Sequence, residues 1–269
     1  MPVSLCRWIP FWGLIAVASL SLAADPASKA ELLRLLNTAQ EEAPRLAALR
    51  KLEASGAVDA PLLMRCLTDT SPRVRAEVLR IGKPWLTTDP ELELRFLALV
   101  HDRSPIVRQE LLKTLPAMTS ERARATWIPL LKKEIDSPGT PHLAVQALGH
   151  RILPTLQTLA LAPEWNTASA GKITFFEFAA NTLCDPPTPD VAVALLSLCA
   201  EPTRPKWMRL AILRGANGRI QPSRPGSDLK TLRFPEAPSP LRNLLHSKDP
   251  EILSLLTAPG GRFLWPAGP

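Results

Sequence analysis

A twelve-residue phrase that recurs at an offset of 33 residues limits what this chain can fold into more than any other feature. Asp69-Thr-Ser-Pro-Arg-Val-Arg-Ala-Glu-Val-Leu-Arg80 returns as Asp102-Arg-Ser-Pro-Ile-Val-Arg-Gln-Glu-Leu-Leu-Lys113. A fixed period of this length marks a stack of small supersecondary units. Each copy reads as the start of a helix. Ser71 and Ser104 stand where a hydroxyl caps free amides, Pro72 and Pro105 suit the first turn, and Val74/Val78 and Val107/Leu111 share one face at i, i+4. A weaker third copy runs from Asp136 through Thr140 and Pro141, with Leu143, Ala147 and Leu148 matching Val74, Val78 and Leu79. A fourth places Met208, Arg209, Ile212 and Leu213 at four periods of about 33.5 residues beyond Val74, Arg75, Val78 and Leu79.

Between these second helices lie amphipathic first helices at 61–67, 90–101, 120–135 and 189–200. Further pairs are predicted at 29–36 with 42–52, at 152–161 with 172–183, and, after an irregular Pro/Gly/Ser segment, at 240–245 with 250–255. That makes six or seven hairpins. None can bury its apolar face alone, so neighbours must stack, here into a right-handed superhelix. No long alternating β-branched run and no Tyr is present, which argues against a sheet-rich domain and for an all-α fold. The 29 prolines are dispersed between helices as punctuation, and 46% apolar content supplies a core.

The first 23 residues read as a secretory signal. Arg7 is followed by an uncharged apolar run to Ala23, and Ser21 and Ala23 form a small-x-small cleavage pattern. The run is shorter than the roughly 20 residues a spanning helix needs. Cleavage there would leave a soluble, exported chain, periplasmic or extracellular, with a formal charge of +6 in place of +7. The expected domains are a signal at 1–23, helical repeats at 24–216, an irregular segment at 217–237, and short helices with a tail at 238–269. The ending from Gly260 to Pro269 lacks the polar helix that usually closes a stack, which suggests truncation or a required partner. Cys66, Cys184 and Cys199 would remain after cleavage. With Cys184 and Cys199 about 15 Å of helix rise apart, they are expected as small buried side chains and not as a bridge.

The repeats resemble the HEAT family, in which the second helix opens after an Asp-x-x-Pro turn and carries Val-Arg in its first turn. Asp69, Pro72, Val74 and Arg75 fit this pattern, as do Asp102, Pro105, Val107 and Arg108; the third copy has Ala144 in place of the Arg, and the fourth keeps Arg209 without the Asp. The resemblance implies an armadillo-like α-solenoid in which the Asp accepts turn amides and the Arg pairs along the stack, a structural ladder and not a site. The phrase from Lys206 to Leu213 is also similar to the HEAT region of large exported bacterial dehydrogenase or c-type haem proteins, although this chain has no Cys-x-x-Cys-His and no propeller.

No constellation amounts to a catalytic, cofactor or metal site. His142 and His150 are about 12 Å apart along a helix, and His101 and His246 are distant in sequence. Glu41/Glu42 and Glu91/Glu93 point apart on their helices and read as solvated faces. Gly260-Gly261 precedes no helix that would hold a phosphate, and no Gly-x-Ser-x-Gly elbow occurs. Arg73, Arg75, Arg80, Arg108, Lys113 and Arg209, all on second helices, are candidate protein contacts on a concave groove. No aromatics interleave with them, which argues against nucleic acid. Trp85, Trp127, Trp165, Trp207 and Trp265 are expected in packing, with any exposed one a contact anchor. The chain is therefore expected to be a non-enzymatic scaffold for another protein, needing no cofactor and making no membrane contact once its signal is gone. The alternative is a repeat module of an exported redox assembly whose haem or cofactor lies on another chain.

Overall fold

A computed structural model describes residues 26–218, 231–257 and 261–265, so the predicted signal at 1–23 and Gly260 lie outside the described residues. The described chain is predominantly helical and divides into two compact units, Met1–Val58 and Asp59–Pro269. The first unit holds α1 (Pro26–Thr38) and α2 (Glu42–Ala54), which pack on each other. The buried Arg45 of α2 donates through Nη1 to the carbonyls of Ala39 and Gln40, both at 2.9 Å, and so ties down the turn between α1 and α2.

The second unit runs α3 (Ala60–Cys66), α4 (Pro72–Gly82), α5 (Pro90–Ala98), α6 (Pro105–Thr114), α7 (Glu121–Glu134), α8 (Thr140–Leu148), α9 (Ile152–Leu161), α10 (Ala170–Leu183), α11 (Pro189–Ala200), α12 (Lys206–Ala216), α13 (Ser239–Leu245) and α14 (Pro250–Thr257). Even-numbered helices contact in succession from α4 through α6, α8, α10 and α12 to α14. Odd-numbered helices make a second row, α3 to α5 to α7 and α9 to α11 to α13. The even-numbered row presents the predicted apolar stripe inward: Val74, Val78 and Leu79 of α4, Val107 and Leu111 of α6, and Met208 and Ile212 of α12 are all buried.

Helix starts follow local chemistry. Asp59, Ser71, Asp89, Ser120 and Ser169 each accept a backbone amide in the first turn of the helix that follows. Ser104 departs from its expected role, for its hydroxyl makes no cap bond while its own amide donates to Asp102 Oδ1 at 2.8 Å. The third repeat copy is also corrected. Gly139 takes φ 76°, a left-handed conformation suited to glycine, and α8 begins one residue before Pro141. The buried stripe falls on Ala144, Val145 and Leu148, leaving Leu143 and Ala147 half-buried.

Leu232–Arg233 pairs in parallel with Phe263–Leu264, a two-residue bridge that periodicity gave no sign of. Buried Arg262 ties this tail to the body by donating to the Asn181 carbonyl at 3.1 Å. Trp165, Phe175, Phe176 and Trp207 form one aromatic cluster with centroid separations of 5.8 to 6.2 Å. Trp127 and Trp165 are buried, as packing required; Trp85, Trp207 and Trp265 are half-buried.

Candidate functional site

The six basic residues singled out on second helices separate into two sets. Arg75 of α4 donates from Nε and Nη2 to both carboxylate oxygens of Asp102 at 2.8 Å, and from Nη1 to the Asp69 carbonyl at 2.7 Å. Asp69 and Asp102 in turn accept the amides of Ser71 and Ser104 at 2.7 and 2.8 Å. One turn thus holds both a helix start and the next repeat, and the fork geometry of guanidinium on carboxylate fixes their register. Arg108 of α6 makes the next rung, pairing with Glu134 and donating to the Asp102 carbonyl. Side chains of Arg75 and Arg108 are 15% and 11% exposed, and Glu134 is fully buried. The donors of both arginines are directed at neighbouring turns and helices and not at solvent. Arg209 is likewise turned to the Cys199 carbonyl at 2.6 Å.

Asp136, which opens the third copy, makes a different contact. Its Oδ1 accepts the amide of Gly171 at 2.9 Å, at the start of α10, and Glu134 at the end of α7 takes the rung in its place. Glu93 is also corrected from a solvated face to a buried carboxylate, which accepts the hydroxyl of Ser120, the residue that opens α7. Neither acid lies in the repeated phrase. The signal that could have found Glu93 is its spacing, since it falls one residue after Leu92 and three before Phe96 on the buried arc of α5.

Burial pushes the Asp102 carboxyl up, but the Arg75 hydrogen bond, the Ser104 amide and the charges of Arg75 and Arg108 together outweigh it and hold the group below its ordinary range. Burial raises the Cys184 thiol to about 11 and the Cys199 thiol further still, and it raises Cys66 as well. All three are free and buried, the inert setting expected of them.

Arg73, Arg80 and Lys113 remain exposed. Arg80 and Lys113 each pair at 3.0 Å with an acid of their own helix, Glu77 and Glu110. His101, His142, His150 and His246 are all exposed; the His142 ring lies tilted against Phe178 with centroids 4.6 Å apart, and His246 Nδ1 lies 2.7 Å from the Arg242 carbonyl. Among the described residues no three His, Cys, Asp or Glu side chains are grouped to hold a metal, and no helix is long and apolar enough to cross a membrane.

A different surface feature was not singled out by sequence. Between α5 and α7 runs a groove of two adjoining openings, about 330 and 510 Å³, which share Leu94, Leu97 and Arg122. Leu94, in mid-α5, is 48% exposed. No family model matches this chain, and no curated protein or solved structure matches it either.

Proposed function

We propose that this chain is an exported, non-enzymatic scaffold: a right-handed solenoid of HEAT-like hairpins whose outer surface holds another protein. The observation that carries the reading is the rung from Arg75 to Asp102, followed by the rung from Arg108 to Glu134, at the period of the sequence repeat. Such rungs serve stacking and leave the exposed faces of both helix rows to recognition. The two helix rows support the same reading. The second-helix row, first expected to carry the partner, keeps Arg73, Arg80 and Lys113 at its surface after Arg75, Arg108 and Arg209 are turned inward.

The test is affinity capture with residues 24–269 from the native periplasmic or secreted extract. One specific protein partner is the expected result. Recovery of a haem or dehydrogenase subunit would move the reading to a repeat module of a redox assembly, and the return of no protein at saturating bait would sink the scaffold reading.

A further inference from the structure

We infer that the groove between α5 and α7 is the docking surface for an acidic protein segment, which seats one apolar side chain against Leu94 and sets carboxylates on Arg122 and Lys133. The inference rests on the scaffold reading and names the face and the chemistry of the partner. A single exposed leucine is ordinary on a soluble surface, so Leu94 carries nothing by itself. Its setting does. It lies at a groove with Leu97 and Arg122, and the larger opening adds apolar Ala98 and Val100 beside Glu91, Arg95, His101 and Thr126, an apolar strip within a charged and polar rim.

Charge on this face points to the sign of the occupant. Each exposed acid is already matched: Glu91 with Arg95 at 3.6 Å, Glu121 with Arg124 at 3.1 Å, and Glu164 with Lys132 at 3.7 Å. Buried Glu93 is engaged by Ser120. Arg122 and Lys133 are exposed and have no acidic partner among the described residues. Arg122, Thr126, Pro129 and Lys133 follow one another at i, i+4, i+7 and i+11, which puts them on a single line along α7. Arg122 and Thr126 line the groove, and Lys133 stands about 16 Å from Arg122 where the same line continues beyond it. In the second-helix row Arg80 and Lys113 instead face acids of their own helices. An acidic segment lying along α7 would meet both cations while its apolar residue entered beside Leu94, the arrangement of a desolvated anchor within a charged rim.

The experiment places the photo-crosslinker p-benzoylphenylalanine at Leu94, and separately at Lys113, in the full chain expressed in its own host. The crosslinked segment is sequenced, and the corresponding labelled synthetic peptide is titrated by fluorescence anisotropy. Expected is a crosslink from position 94 to a protein segment carrying Asp or Glu on both sides of an apolar residue. Its peptide should bind at least about tenfold more weakly to Arg122→Glu and to Lys133→Glu, and equally well to Lys113→Glu; all three sites are exposed, so circular dichroism should be unchanged. Crosslinks from position 113 alone would overturn this surface and leave the scaffold standing. Crosslinks to lipid or nucleic acid, or to a basic or uncharged segment, would overturn the proposed partner, and no protein crosslink from either position would remove both readings.

Discussion

At the scale of one residue, Arg75 acts as a rung between helices and not as a surface contact. Three of its contacts are internal: the two carboxylate oxygens of Asp102 and the Asp69 carbonyl. Removing the arginine leaves a largely buried carboxylate with less compensation, and such losses exceed the net worth of the pair. Arg75→Ala should lower unfolding free energy by about 2 kcal/mol in urea titrations at neutral pH. The acid branch has a definite sign. The Asp102 carboxyl is depressed in the folded chain, so its stabilisation is fully present above the unfolded value of about 3.9 and is lost as pH falls through the lower folded value. Asp102→Asn should therefore show a shallower loss of stability from pH 5 downward than the native chain, and identical acid slopes would remove Asp102 from that account. Two serines of the repeated phrase give a paired comparison. The Ser71 hydroxyl accepts the amides of Arg73 and Val74 at 3.2 and 3.4 Å, whereas the Ser104 hydroxyl caps nothing. Thermal melts should show Ser71→Ala costing about 1 kcal/mol and Ser104→Ala only a few tenths.

Element by element, much of the helical order was legible, because Pro at the first turn, a capping side chain before it and an i, i+4 apolar pair act within a few residues. The predicted 152–161 and 189–200 coincide with α9 and α11. What was hidden depends on chain neighbours distant in sequence. Glu134 replaces Asp136 on the ladder although it stands outside the Asp-x-x-Pro turn, and the shift of α8 depends on the left-handed Gly139. The groove at Leu94 was half legible. Leu94 is two residues from both Leu92 and Phe96, hence on the opposite arc of α5, but only the position of α7 makes that arc one wall of a groove. Helix approach gives the clearest element-scale prediction. A Cβ at Gly215 of α12 would overlap the Glu177 carbonyl oxygen of α10 and stand 2.9 Å from the Ala180 Cβ. Backbone on the far side cannot swing away like a side chain, so Gly215→Val should cost about 3 kcal/mol and lower the thermal midpoint without abolishing the helical spectrum of the remaining chain. An unchanged midpoint would mean that α10 and α12 are not in close contact.

Across the Asp59–Pro269 unit, the even-numbered row passes contact from each helix to the next, from α4 to α14. In such an arrangement stability is close to a sum of unit and nearest-neighbour contributions, so a local defect weakens its own neighbourhood more than distant repeats. The wedge at Gly215 tests this. α12 touches α10, α11 and α14; Lys206 also bridges it to Asp249 and Glu251 near the start of α14, both at 3.0 Å, and the buried Asn217 donates to the Leu255 carbonyl at 2.9 Å. Helix α4 instead depends on Gly82 packed at Phe96 and on the Arg75 rung, neither of which involves α12. Hydrogen exchange on the Gly215→Val chain should therefore show protection reduced at least about tenfold in α10, α12 and α14, with the amides of α4 and α6 within about twofold of native. Uniform loss of protection over the unit would instead mean a single globular core that unfolds as one, and would count against a stack of repeats. The graded pattern is the one a solenoid must give, because each hairpin's apolar face is covered only by its neighbours.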